Sequence, residues 1–156
     1  MALALILLWA GGDLWTTLRY HRGLTASGGL ASHSDAINRL AAYLERGGLS
    51  APLALDWGMD AQVRFLTVGR VNPIEVFGYG ALDAADPGFA GRVRPFLDNP
   101  AYVYLAHAPE ATVFRGRMEA LAALAREQGA ELREEIRFTE RGGRPLFVVY
   151  RAARPR

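Results

Sequence analysis

Three short apolar runs restrict the fold more than anything else in the chain, because each closes in a polar or glycine turn and is followed by a helical stretch. The clearest is Leu53 to Asp60, LALDWGMD. Pro52 leads into a continuous run, Leu53 to Trp57, which includes Asp56 near its end. Gly58 makes the turn, and Asp60 falls in the first turn of the next helix, where the positive dipole end favours a carboxylate. A second run, Ile74 to Phe77, follows Pro73 and ends at Gly78-Tyr79-Gly80. A third, Ala101 to Ala106, follows Asn99-Pro100 and ends at His107-Ala108-Pro109. Continuous rather than alternating apolar runs suit strands covered on both faces, as parallel strands are.

Helical spacing fills the intervals. Ser34 and Asp35 offer N-cap chemistry, and Ile37, Leu40, Ala41 and Leu44 then share one face until Gly47-Gly48. Val63 and Leu66, with Phe65, form the buried side of the helix after Gly58, and Gly69 suits its C-cap. Asp86-Pro87 opens a helix with Phe89, Val93, Phe96 and Leu97 inward and Pro95 positioned to kink or shorten it. Met118, Leu121, Ala122 and Ala125 line the last helix, which stops at Gly129. Glu131–Thr139 and Pro145–Ala152 are strands joined by the hairpin signal Glu140-Arg141-Gly142-Gly143. The expected architecture is an α/β three-layer sandwich over 34–156. Its sheet is mostly parallel with a C-terminal antiparallel hairpin, and a hydrophobic N-terminal helix precedes it.

Residues 1–22 form that hydrophobic segment. Ala2 to Ala10 is apolar throughout, about half of what a membrane span needs. Trp9, Trp15 and Tyr20 suit an interfacial aromatic belt, with Arg19 and Arg22 just beyond. The segment reads as a truncated or marginal membrane helix. A signal peptide without its basic leader and a buried helix of a soluble protein are the alternatives. Residues 23–33, rich in Gly, Ser and Ala, read as a linker.

Composition excludes more than it identifies. A formal charge of +2, with the basic residues scattered, gives no footprint for nucleic acid. All 18 basic residues are Arg, which fits a GC-rich coding sequence or an anion-binding surface. Without Cys there is no thiol nucleophile, disulfide or thiolate metal site. His21, His33 and His107 have no metal-ligand spacing. No dinucleotide fingerprint, P-loop or nucleophile elbow occurs, so no cofactor is implied.

Ligands of open α/β sheets bind beyond the carboxyl ends of the strands. That rule selects Asp56, Trp57, Tyr79 and His107 as ligand-binding candidates on one rim, a set able to hold a sugar or another polar ring. The plainer readings make Asp56 a helix cap, Trp57 part of the core and His107 an ordinary hydrogen-bonded residue. Arg115 and Arg117 could help bind an anion at a helix start, but read better as a solvated face.

The order of segments carries a resemblance. A membrane-helix end and small-residue linker precede SDAINRLAAYL (Ser34 to Leu44), LALDWGMD, RFLTVGRV (Arg64 to Val71) and YVYLAHAP (Tyr102 to Pro109). This resembles the C-terminal extracytoplasmic domain of bacterial membrane glycosyltransferases that use polyprenyl-phosphate sugars, the protein-mannosyltransferase and aminoarabinose-transferase type. The resemblance implies an accessory domain or fragment on the extracytoplasmic side, with the membrane part of a glycosyltransferase as partner. It transfers no catalytic residue, because that family's chemistry lies in membrane regions this chain does not contain. Asp56, Trp57 and His107 would then contact an acceptor or the membrane part. A soluble α/β enzyme or binding protein using the strand-end rim is the alternative, and a structural interaction module the third reading.

Overall fold

A computed structural model describes residues 1–154, apart from the side chain of Ser32. Helix α1 (Ala2–Ser27) and a 3-10 turn (Ala31–His33) precede α2 (Ala36–Arg46). Then come β1 (Leu53–Ala54), α3 (Asp60–Leu66), β2 (Ile74–Glu75), α4 (Phe89–Leu97), β3 (Tyr104–His107), α5 (Arg117–Glu127), β4 (Glu131–Thr139) and β5 (Pro145–Ala153). The strands form one sheet in the order β2-β1-β3-β5-β4.

The sheet is mixed rather than mostly parallel. β1 pairs in parallel with β2 and β3, whereas β5 runs antiparallel to both β3 and β4. The regular ladders are short because Asp56 and Gly78 turn the chain just beyond them, and Pro73 falls at an outward position of the edge strand β2, where no N–H is needed. Leu55 still donates to the Leu105 carbonyl, so β1 is bonded to the edge of its turn.

Alternation along the strands builds a core on each face. Ala54, Val103, Leu105, Phe147 and Val149 pack with α2, Met59 and Val63. Leu53, Leu55, Tyr104 and Ala106 face the other way, against α4 and α5. Two helices therefore cover each face. The outer helices match their spacing, except that Phe65 is 82% exposed and only Val63 of α3 is buried. Phe65 follows Val63 by two residues, about 200° round the helix, so the two face opposite sides.

At the N-terminus the boundaries differ from those expected. α1 continues through Gly23 to Ser27 and stops at Gly28, whose left-handed backbone lets its N–H bond the Leu24 carbonyl. The linker is thus only the stretch from Gly28 to Asp35. That stretch is tied to the β4–β5 turn: the Ala31 N–H donates to Glu140 at 2.6 Å, and Arg141 donates to Asp35 at 2.8 Å and to the Thr25 carbonyl. Gly28 lies so close that a Cβ there would come within 2.5 Å of Asp35 Oδ1. Asp35 is thereby drawn away from capping, and α2 has no side-chain cap from it. No residue of α1 is buried, and no described helix is long and apolar enough to cross a membrane.

The two cores set the stability. Leu40→Ala, at a fully enclosed position, should lower unfolding free energy by about 2–5 kcal/mol, while Phe65→Ala should stay within about 0.5 kcal/mol, as read by chemical denaturation.

Candidate functional site

The strand carboxyl ends meet at Asp56. Its backbone closes β1, and its carboxylate turns inward to the loop that follows β3. Oδ1 accepts from the N–H groups of Trp57 (2.8 Å) and Phe114 (3.1 Å). Oδ2 accepts from the Thr112 hydroxyl (2.5 Å) and the Val113 N–H (2.9 Å). His107 Nδ1 adds a contact at 3.1 Å to Oδ2, without the alignment of a hydrogen bond. Burial pushes the Asp56 carboxyl up, but its contacts with His107 and Thr112 and the Trp57 N–H outweigh burial and hold it below the ordinary carboxylate range. The group is an ionised acceptor with both oxygens engaged, which ties β1 to the 112–114 loop.

Of the four rim candidates, the structure brings Asp56 and His107 into contact and buries both; His107 is only 7% exposed. Trp57 stands beside them with half of its surface open. Tyr79 lies apart: its ring packs edge-on against Phe77 and Phe114, and its hydroxyl donates to Glu75 at 2.9 Å. That hydrogen bond raises the Tyr79 pKa.

His107 lines a cavity on each side of the strand edge. One, of about 270 Å³, is walled by Leu55, Thr112, Phe114, Tyr150 and the start of α5. The other, of about 260 Å³, is walled by Trp57, Glu110, Val113, Arg144 and the linker at Ala31. Thr112 and Tyr150 supply the hydroxyl side chains of the two linings, and the Thr112 hydroxyl is spent on Asp56. A carboxylate behind an imidazole is the orienting half of an acyl-transfer triad, yet no serine or cysteine lines either cavity to complete it.

No family model, curated protein or solved structure matches the chain.

Arg117 departs most from the sequence reading, which made it a solvated residue. It is buried, and its guanidinium donates all five N–H groups to backbone carbonyls: Phe77, Gly78, Ala81, Ala84 and Arg115. It also lies over the Phe114 ring at 5.1 Å. These bonds fold the loop after β2 onto the start of α5, the neighbour of the Asp56 knot. Its spacing from Arg115 resembled an exposed pair, and no periodic signal in the sequence separates the two. Thr112, Glu110 and Arg144 were also missed, since none follows a strand directly.

Asp56 gives a testable acid dependence. Its folded pKa is lowered, so its stabilisation is complete above the ordinary carboxylate value of about 3.9 and is lost as pH falls through the folded value. Asp56→Ala should destabilise by at least about 2 kcal/mol at neutral pH, through the donors it strands. The gap between wild type and variant should narrow below about pH 4 in denaturation curves taken across pH.

Proposed function

We propose that this chain is an accessory domain held at a membrane by α1, on the extracytoplasmic side, where it assists the membrane part of a glycosyltransferase and is not catalytic alone. The observation that carries the reading is α1 itself, a 26-residue helix that buries none of its residues against the domain. Leu3, Leu5, Ile6, Leu7, Leu8 and Trp9 are exposed on all sides of it, and a helix apolar all round needs an apolar surrounding. Trp15 and Tyr20 follow, and the Arg19 guanidinium lies 5.4 Å from the Trp15 ring, an arrangement suited to the headgroup level. The apolar part ahead of Asp13 is about 18 Å long, short of the roughly 30 Å of a bilayer core. Partial insertion, or packing against other membrane helices, is therefore the mode proposed.

The order of segments from Ser34 to Pro109 supports the glycosyltransferase association. The engagement of both Asp56 oxygens supports a role without chemistry of its own. The anchored β4–β5 turn suits a domain carried at a set angle to its helix, since Glu140 and Arg141 fix the stretch by which α1 enters the domain. A second reading, a small-molecule binding protein using the strand edge, is favoured by the two cavities beside His107.

Cell fractionation tests the anchor. The full chain should sediment with membranes and resist a salt wash, and a Leu5→Glu/Leu8→Glu double variant should move to the soluble fraction. Wild-type protein found wholly in the soluble cytoplasm would contradict the proposal.

A further inference from the structure

We infer that the cavity between Trp57 and Arg144 is a binding site for a neutral, polyhydroxylated ring, a sugar or a cyclitol. Its volume, about 260 Å³, lies just under the range of drug-sized pockets and suits a single saturated ring. One wall is the Trp57 indole, half exposed and stacked by no other aromatic or cationic group among the described residues. A free indole face offers an apolar plate, and its N–H a donor at the edge. Around the plate stand groups of opposite hydrogen-bonding sense. Glu110 is an acceptor with no hydrogen bond among the described residues; the charge it feels is Arg137, whose guanidinium is hydrogen-bonded to Glu134. Arg144 is a donor: its Nε and Nη2 are held by Glu140 at 2.9 and 2.8 Å, leaving Nη1. His107 forms the floor, with Nδ1 turned towards Asp56 and the opposite ring nitrogen turned away from it.

Hydroxyl groups are both donors and acceptors, so a ring of them uses every member of this set, whereas ions do not. An organic cation would gain from Trp57 and Glu110 but would face the Arg144 guanidinium and the N–H of the indole. An anion would gain from Arg144, already matched by the buried Glu140, and would be repelled by Glu110. A saturated ring with one C–H face and several hydroxyls meets the plate and the polar rim together. The site is independent of what α1 docks against, and binding here could fail while the membrane anchor holds, or the reverse.

The test uses the full chain in detergent micelles and follows its indole N–H signals by NMR, with Trp57 assigned from the spectrum of Trp57→Phe. D-glucose, D-galactose, myo-inositol and tetramethylammonium are titrated separately. The expected result is a saturable shift of the Trp57 signal with at least one polyol, at a dissociation constant of about 1 mM, while Trp9 and Trp15 stay still. A response to the sugars alone specifies a pyranose, and a response to inositol as well specifies a general polyol ring. Glu110→Gln, a surface change that leaves the fold intact, should weaken binding about tenfold. No saturable shift with any polyol, a shift with tetramethylammonium only, or unchanged binding in Glu110→Gln would overturn the inference.

Discussion

A single buried carboxylate fastens the end of β1 to the loop that follows β3. β1, between β2 and β3, has only two residues in its ladder. Asp56 continues that strand by other means: its oxygens take the N–H groups of Val113 and Phe114 and the Thr112 hydroxyl, and so fasten the loop after β3 across the end of β1. Because each buried donor of that loop would be costly if left unpaired, the carboxylate determines where the loop runs. The two cavities beside His107 follow from that course, since residues 109 to 119 supply walls to both.

Arg117 completes the arrangement from below. A buried cation hydrogen-bonded to no carboxylate among the described residues is unusual, and here five carbonyls hold it. Three of them come from the loop after β2, at Gly78, Ala81 and Ala84, and the other two from Phe77 and Arg115 on either side of it. Asp56 and Arg117 thus act alike: each is an ionised side chain used to satisfy backbone groups where regular ladders stop. Engagement of that kind makes the strand edge rigid and suits binding more than proton transfer or nucleophilic attack. α1 stands outside this arrangement: it buries none of its residues, and Gly28 to Asp35 and the Arg141 bond to the Thr25 carbonyl tie it to the domain.

The sequence made the parts with strong periodicity legible. Leu40 and Leu44 of α2, Leu121 and Ala125 of α5, and the β4–β5 hairpin all lie where their spacing puts them. Direction was harder to read. An apolar run such as Leu53 to Trp57 says that a strand is covered on both faces, but β5 is equally apolar and runs antiparallel. The strand-end rule named Asp56 and His107, which the fold brings into contact, and Tyr79, whose ring packs on Phe77 and Phe114. Side chains that reach back to a site from several residues beyond a strand, such as Thr112 and Arg144, leave no periodic mark. Gly23 looked like linker, yet α1 runs through it as it does through Gly11 and Gly12, since a glycine in a helix costs only about 1 kcal/mol.

Amide hydrogen exchange tests most directly whether Asp56 is a structural knot. If its carboxylate holds the 112–114 loop as described, the N–H groups of Val113 and Phe114 should exchange as slowly as those of Leu105 and Val149 in the central strands. Exchange of those two amides at the rate of an open loop, with the central strands still protected, would contradict the account.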